Sequence, residues 1–303
     1  MVEITIWDVQ HGSAAYIKTP NNRHIVVDLG DGENFSPLRT LKGLGIPQLD
    51  AVVITHPHRD HMDDILNFKL LAPKTLWTPR QLSELDIRKG NRADDAAIVS
   101  EYLAIRQDYS LPVPAGIDPT IPSDFGGALF QFFSPKSCST ANLNNHSIVV
   151  VVAFANLKVV IPGDNESPSW NELLLDPKFV AAIRGTDVLL ASHHGRDAGY
   201  SAELFEVMGK PKLVVVSDGR FGDTSATDRY SNQASGWTVY DAAGASDTRK
   251  CLTTRNDGHI AVNFGWSVND PQHVNVLNVT TSKVNANALK ARMLSALFAR
   301  KLG

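Results

Sequence analysis

The segment Thr55-His56-Pro57-His58-Arg59-Asp60-His61 sets three imidazoles and one carboxylate within six positions. Imidazole nitrogen and carboxylate oxygen are the donor set of zinc, manganese, iron and cobalt sites. On a loop, His56 and His58 can point at one cation, and Asp60 and His61 at a second. Two cations roughly 3.5–4 Å apart can share a hydroxide and clamp both sides of a displacement. Further donors follow in order. Asp164, in Ile161-Pro162-Gly163-Asp164, lies where a strand runs into a glycine turn, and a carboxylate there can bridge two cations. In Ser192-His193-His194-Gly195, one histidine can complete the second cation's shell. The other can orient a substrate or protonate a leaving group. His146, in Asn142-Leu143-Asn144-Asn145-His146-Ser147, precedes the strand that leads to Asp164. Taken singly, Asp164 also reads as a turn or helix-capping aspartate and His146 as a loop histidine. Their recurrence in order is what argues for one shared site.

These side chains need elements to hold them. Val2, Ile4 and Ile6 alternate with Glu3 and Thr5, a strand period. Further strands are expected at 14–18, 24–28, 50–54, 129–133, 147–154, 158–161, 187–190, 213–217 and 260–264, most of them apolar runs closed by turn residues. Helices are expected at 38–44, 62–71, 170–175 and 202–208, and through most of 81–115, notably 93–107. The histidine cluster therefore falls between the end of a strand and a helix, where open α/β sheets bind ligands. Strands with helices interspersed through both halves suit two sheets flanked by helices. Residues 1–270 read as the catalytic domain, with 81–115 as a helical insertion or lid. Residues 271–303 read as an extension. In it, Leu289, Met293, Leu294, Leu297 and Phe298 fall on one face of a helix at 285–302, with Lys290, Arg292, Arg300 and Lys301 elsewhere. That face is expected to pack on the domain, a second copy or a protein partner.

Composition narrows the class. The 303 residues are 43% hydrophobic and 20% charged with a net charge of −3, an ordinary globular profile with no overall pull toward nucleic acid. A local basic groove remains compatible with that average. The two cysteines, Cys138 and Cys251, stand apart, which argues against a disulfide framework or a zinc–thiolate site. The start, Met1-Val2-Glu3-Ile4-Thr5-Ile6-Trp7, lacks the features of an export signal, and no apolar run is long enough to span a bilayer. A cytoplasmic location is expected.

At this point the chain resembles the metallo-β-lactamase superfamily and, within it, the ComEC-type competence branch. Over residues 2–265, His56–His61 resembles the superfamily's His-x-His-x-Asp-His signature, and Asp28 before Gly30 its early Asp motif. Pro162-Gly163-Asp164 and His193-His194-Gly195 are similar to its Gly-Asp and His-His-Gly motifs. Trp7-Asp8-Val9-Gln10-His11-Gly12-Ser13 resembles the branch's opening Asp-Val-Gly-Gln-Gly-Asp, Asn144–Ser147 its Asn-x-Asn-Ser, and Thr254–Ile260 its closing motif. The resemblance implies an α/β fold, a four-layer αβ/βα sandwich with the site along one edge. It implies two divalent ions, zinc first, with manganese or iron as alternatives. His56, His58 and His146 would hold one ion; Asp60, His61 and either His193 or His194 the other, with His194 preferred; Asp164 would bridge. The chain departs from the branch at Gln10–Ser13 and at Ser217–Ser225, on the substrate side.

The activity implied is metal-dependent hydrolysis of a phosphodiester, nucleic acid included. Asp60 would orient the hydroxide, and Arg59, Lys136, Arg196 and Arg220 would contact phosphate. A carbon ester, lactone or thioester hydrolase uses the same site, and a metal-containing, partner-regulated binding module is a third reading. No motif places His11 among the ligands, so its loss is expected to spare metal binding.

Overall fold

The computed structural model describes residues 1–219, 226–267 and 274–283. Their strands form two sheets. The strands of the first are β1 (Val2–Ile6), β2 (Ala15–Lys18), β3 (His24–Val27), β4 (Ala51–Val53) and β5 (Thr75–Trp77). Those of the second are β6 (Leu129–Phe133), β7 (Val149–Phe154), β8 (Leu157–Ile161), β9 (Val188–Leu190) and β10 (Leu213–Val216). The chain then returns to the first sheet with β11 (Trp237–Tyr240) and β12 (Ser246–Arg249), and to the second with β13 (Cys251–Thr253). It closes in the first with β14 (Ile260–Trp266) and β15 (Asn275–Thr281). The strand orders are β12-β11-β15-β14-β1-β2-β3-β4-β5 and β13-β10-β9-β8-β7-β6.

The residue pattern explains the layering. In β7, Val150 and Val152 turn toward the first sheet while Val149 and Val151 face outward, and all four are buried. A strand covered on both faces has no polar alternate positions, hence the run of valines. Between the sheets lie Ile4, Ile17, Ile25 and Val53 on one side and Val159, Ile161, Leu190 and Val215 on the other. Outside the first sheet pack α1 (Pro37–Gly43), α2 (Glu84–Gly90) and α3 (Ala96–Asp108), through Leu38, Leu41, Ile87, Val99 and Tyr102. Outside the second pack α4 (Ser167–Leu173), α5 (Pro177–Ile183), α6 (Ala202–Met208) and α7 (Thr227–Gln233), through Trp170, Phe179, Phe205 and Tyr230. The fold is a four-layer αβ/βα sandwich.

One expected helix is altered. Residues Asp63–Leu70 form a 3₁₀ run, not an α-helix. The Asp64 N–H donates to the Leu29 carbonyl at 2.8 Å, and the Asp60 carbonyl that an α-turn would use accepts from Ser13 N–H at 3.2 Å. Tertiary bonds have taken both partners of the first α-turn. The sequence pattern does not predict the strands β5, β11, β12, β13 and β15. No described helix is long and apolar enough to cross a membrane. Arg220 and the 285–302 segment lie outside the described residues.

Strand direction decides where chemistry can sit. β3, β4 and β5 run parallel, as do β8, β9, β10 and β13. The carboxyl ends of β3, β4, β8, β9 and β10 carry Asp28, Thr55–His61, Asp164, Ser192–His194 and Ser217. The two sheets meet at this edge, where Ile148 N–H donates to the Thr55 carbonyl at 2.9 Å.

Candidate metal centre

Asp28, fully buried with φ of 61°, organises the first half of the site. Its carboxylate accepts from Thr55 N–H at 2.7 Å and from the Thr55 hydroxyl at 2.9 Å. It also faces His61 Nδ1 at 2.8 Å. These bonds fix the loop leaving β4 and leave His61 Nε2 pointing inward. On the second sheet, Gly163 has φ of +60°, and a Cβ there would lie 2.9 Å from both Ser147 and Thr55. Only glycine fits, which is the physical content of the Pro-Gly-Asp motif. Asp164 N–H then donates to Ser147 Oγ at 3.0 Å, directing the carboxylate at the edge. After β9, His193 and His194 both adopt left-handed backbone, with φ of 50° and 54°. Non-glycine residues seldom hold that conformation, and consecutive ones mark a constrained site. Ser192 Oγ supports the bend by donating to the Gly163 and Asn165 carbonyls.

The side chains converge. One donor atom from each of Asp60, His61, Asp164 and His194 lies within 4.8 Å of the others. His61 Nε2 is 3.3 Å from Asp164 Oδ1 and 3.3 Å from His194 Nε2. His194 Nε2 is 3.3 Å from Asp60 Oδ2 and 3.4 Å from Asp164 Oδ2. His194 Nδ1 donates to the Ser217 carbonyl at 2.9 Å. With both Nδ1 atoms committed to oxygen acceptors, the hydrogen-bond network assigns the protons there. Two Nε2 lone pairs and two carboxylates then share one buried space, which fits a cation and little else. Without a cation, the same carboxylates draw protons onto these rings, which shows how strongly the space attracts positive charge. Burial alone would depress His61 and His194, yet Asp164, with Asp28 and Asp60, lifts His61 well above the ordinary range. Asp164 and Asp60 likewise lift His194 to about 10. Against burial, His61 and His194 hold the Asp60 carboxyl below its usual range, and the same two imidazoles do so for Asp164.

The other sequence candidates are placed less uniformly. His56 Nε2 lies 3.0 Å from His58 Nδ1 and 3.8 Å from Asp164 Oδ2, so this pair adjoins the cluster across Asp164. Burial depresses both rings. His146 is not brought to them. Its Nε2 lies 3.3 Å from the Ser139 carbonyl and its Nδ1 3.4 Å from the Gln81 amide. Asn144 stands beside His58 instead, with its buried Oδ1 turned to that ring. His193 Nδ1 is 3.1 Å from Glu166 Oε1, and its Nε2 faces Arg196 Nη1 at 3.1 Å. The His193 imidazole, with the Asn144 and Asn142 amides, holds the Glu166 carboxyl below its ordinary value despite burial. Arg59 is engaged by Asp63 at 2.7 Å and Asp95 at 3.1 Å. Lys136 lies on an exposed loop whose backbone N–H groups donate to Glu172.

Three contributors escaped the residue pattern. Glu166 closes the Asp164-Asn165-Glu166 run, and its place behind His193 depends on the His193 bend. Asn144 lies within the Asn144–Ser147 motif, where His146 is the stronger donor type and draws the assignment. His11 stands at Asp60, with Nε2 3.5 Å from Oδ2, through a long-range approach of two loops.

Residues 7–220 match the family model of the metallo-β-lactamase superfamily. The chain belongs to this superfamily. It is 23% identical over 239 residues to ComE operon protein 3 of Bacillus subtilis, covering 72% of this chain and 28% of that protein. The chain thus lies on the ComEC-like side of the superfamily, and it spans well under half the length of that relative. Among solved structures, the fold protein YhfI of Bacillus subtilis is 14% identical with a TM-score of 0.43, covering 84% of this chain and 97% of its own. A diphosphatase of the PhnP family is 13% identical with a TM-score of 0.39, covering 71% and 86%. Neither structural likeness carries a functional argument. Family and cluster together identify a metal-dependent hydrolase that uses divalent metal.

Proposed function

We propose that this hydrolase cleaves phosphodiester bonds, nucleic acid included, at a site for two divalent ions. The observation that carries the reading is Arg196. Its guanidinium stands against His193 at the edge of the cluster, with Nη1 3.1 Å from His193 Nε2. A cation held beside a metal cluster suits the non-bridging oxygens of a phosphate ester better than a neutral carbonyl.

Divalent cations, when bound, supply the Lewis acidity and water activation that hydrolysis requires at neutral pH. Asp60, Asp164, His61 and His194 would hold one of them, and His56 and His58 the other, with Asp164 between. The buried Oδ1 of Asn144 beside His58 supports Asn144 in the place first expected for His146. His146 would take it only by leaving Ser139 and Gln81. Asp60, whose side chain is 24% exposed, is placed to orient the attacking water. His193, oriented by Glu166, would protonate the leaving oxygen from Nε2 once Arg196 turns from that nitrogen to the phosphoryl group. Arg196 would bind the phosphoryl group. Arg59 is already satisfied by two carboxylates, which leaves it the lesser candidate.

The test sets purified protein, loaded with Mn²⁺ or Zn²⁺, against single- and double-stranded DNA, RNA and an aryl phosphodiester, with an aryl ester and a lactone alongside. Phosphodiester turnover that weakens about 10–100-fold in Arg196→Ala supports the proposal. Hydrolysis of the ester or lactone alone would make the carbon-ester reading the correct one.

A further inference from the structure

His11 belongs to neither half of the cluster, yet its loop is built onto it. Gly12 has φ of +139°, and a Cβ there would lie 2.5 Å from the Asp60 carbonyl oxygen. Ser13 N–H donates to that same oxygen, and the Ser217 hydroxyl donates to the Gly12 carbonyl at 2.8 Å. Gly219 closes the other side, where a Cβ would meet His11 N at 2.5 Å. The loop is thus clamped between the Asp60 turn and the strand end that holds His194. Nothing of the kind is needed for a solvated surface histidine, whose backbone would be free to drift.

The ring follows from the backbone. His11 Nε2 lies 3.5 Å from Asp60 Oδ2, the oxygen that also meets His194 at 3.3 Å. The His11 and His194 rings stand 5.2 Å apart. His61, Asp164 and His194 are buried, whereas the His11 side chain is 43% exposed. His11 is therefore placed on the solvent side of Asp60, where substrate must arrive.

We propose that His11 is a positioning residue for Asp60: its Nε2 stands within ion-pair reach of Oδ2 and, as an N–H donor, would restrain the rotation of that carboxylate within the cluster. An Nε2–H is carried by the charged ring and by one neutral tautomer alike, so the role does not depend on protonation. Residues that orient a metal-ligating group in this way typically change metal affinity or activity by about 10–100-fold when removed. The inference rests on the metal-cluster reading and not on the choice of phosphodiester as substrate.

The experiment compares wild type, His11→Ala and His11→Gln. Glutamine presents a neutral N–H donor of similar reach. Each protein is titrated with Co²⁺ and followed by its visible d–d absorption, which reports ligand geometry without turnover. Steady-state kinetics and melting temperature are measured in parallel. The expected result is a shifted Co²⁺ band and a kcat lowered about 10–100-fold in His11→Ala, at unchanged melting temperature, with both restored toward wild type in His11→Gln. A wild-type band and kcat in His11→Ala would overturn the inference. So would a His11→Gln protein as impaired as His11→Ala, because donation to Asp60 would then not be the role. A wild-type protein that binds no Co²⁺ would overturn the cluster reading itself, and this inference with it.

Discussion

The two halves of the proposed centre are built to different standards. In the half formed by Asp60, His61 and His194, each imidazole is oriented through Nδ1, by Asp28 and by the Ser217 carbonyl. In the half formed by His56 and His58, His56 Nδ1 has only a 3.3 Å contact with the Thr55 hydroxyl, His56 Nε2 and His58 Nδ1 lie 3.0 Å apart, an asparagine stands beside them, and the nearby histidine turns elsewhere. Pre-orientation removes ordering cost from binding and fixes which nitrogen is offered. The Asp60–His61–His194 half should therefore bind its cation first and tighter. Asp164 touches both halves, and only its loss should affect them together.

That asymmetry sets the size of the expected effects. Asp164→Asn should lower kcat by about a thousandfold or more, equivalent to several kcal/mol of lost charge stabilisation, and should reduce metal content in both halves. Metal analysis on the purified variant checks this, and retention of the full complement would remove Asp164 from its bridging role. Asp28→Asn contacts no cation, yet it should weaken the tighter site by about 10–100-fold by loosening His61 and Thr55, as read by competition with a chromophoric chelator. Asn144→Ala should weaken the looser site alone, by about tenfold, while His146→Ala leaves both affinities near wild type. Reversal of that pair would return His146 to the ligand set.

The smallest effect lies beside the centre. Burial, with Asp63 and Asp64 nearby, raises the Asp31 carboxyl to about 6. A carboxyl raised above its unfolded value of about 3.9 stabilises the fold when protonated, and that contribution is lost as pH rises through about 6. Asp31→Asn should therefore raise the melting temperature by roughly 1–3 °C near pH 8 and leave it unchanged near pH 4. Equal shifts at both pH values would place the effect in packing instead.

Much of this was legible in the sequence, for identifiable reasons. The run of valines in β7 announces a strand buried on both faces, and the His-x-His-x-Asp-His spacing needs a strand end to aim it. Gly163 and Gly195 mark turns that admit no Cβ. What could not be read depends on long-range partners. The 3₁₀ run at Asp63–Leu70 exists because Ser13 and Leu29 claim its first hydrogen bonds. The choice between His146 and Asn144 turns on one 3₁₀ turn at Leu143–His146, which sends neighbouring side chains in different directions. His193 and His194 separate into different roles because two left-handed residues in succession point one ring at Glu166 and the other at Asp60. Short strands such as β5, three residues between Pro73 and Pro79, carry too little pattern to be seen alone.

The most direct measurement of the centre is calorimetric titration of metal-stripped protein with Zn²⁺ or Mn²⁺, repeated on Asp28→Asn and Asn144→Ala. Two sequential binding events of unequal affinity are expected in wild type, with Asp28→Asn weakening the tighter and Asn144→Ala the looser. A single event, or two events that both variants weaken equally, would contradict a centre made of one pre-oriented half and one loose half.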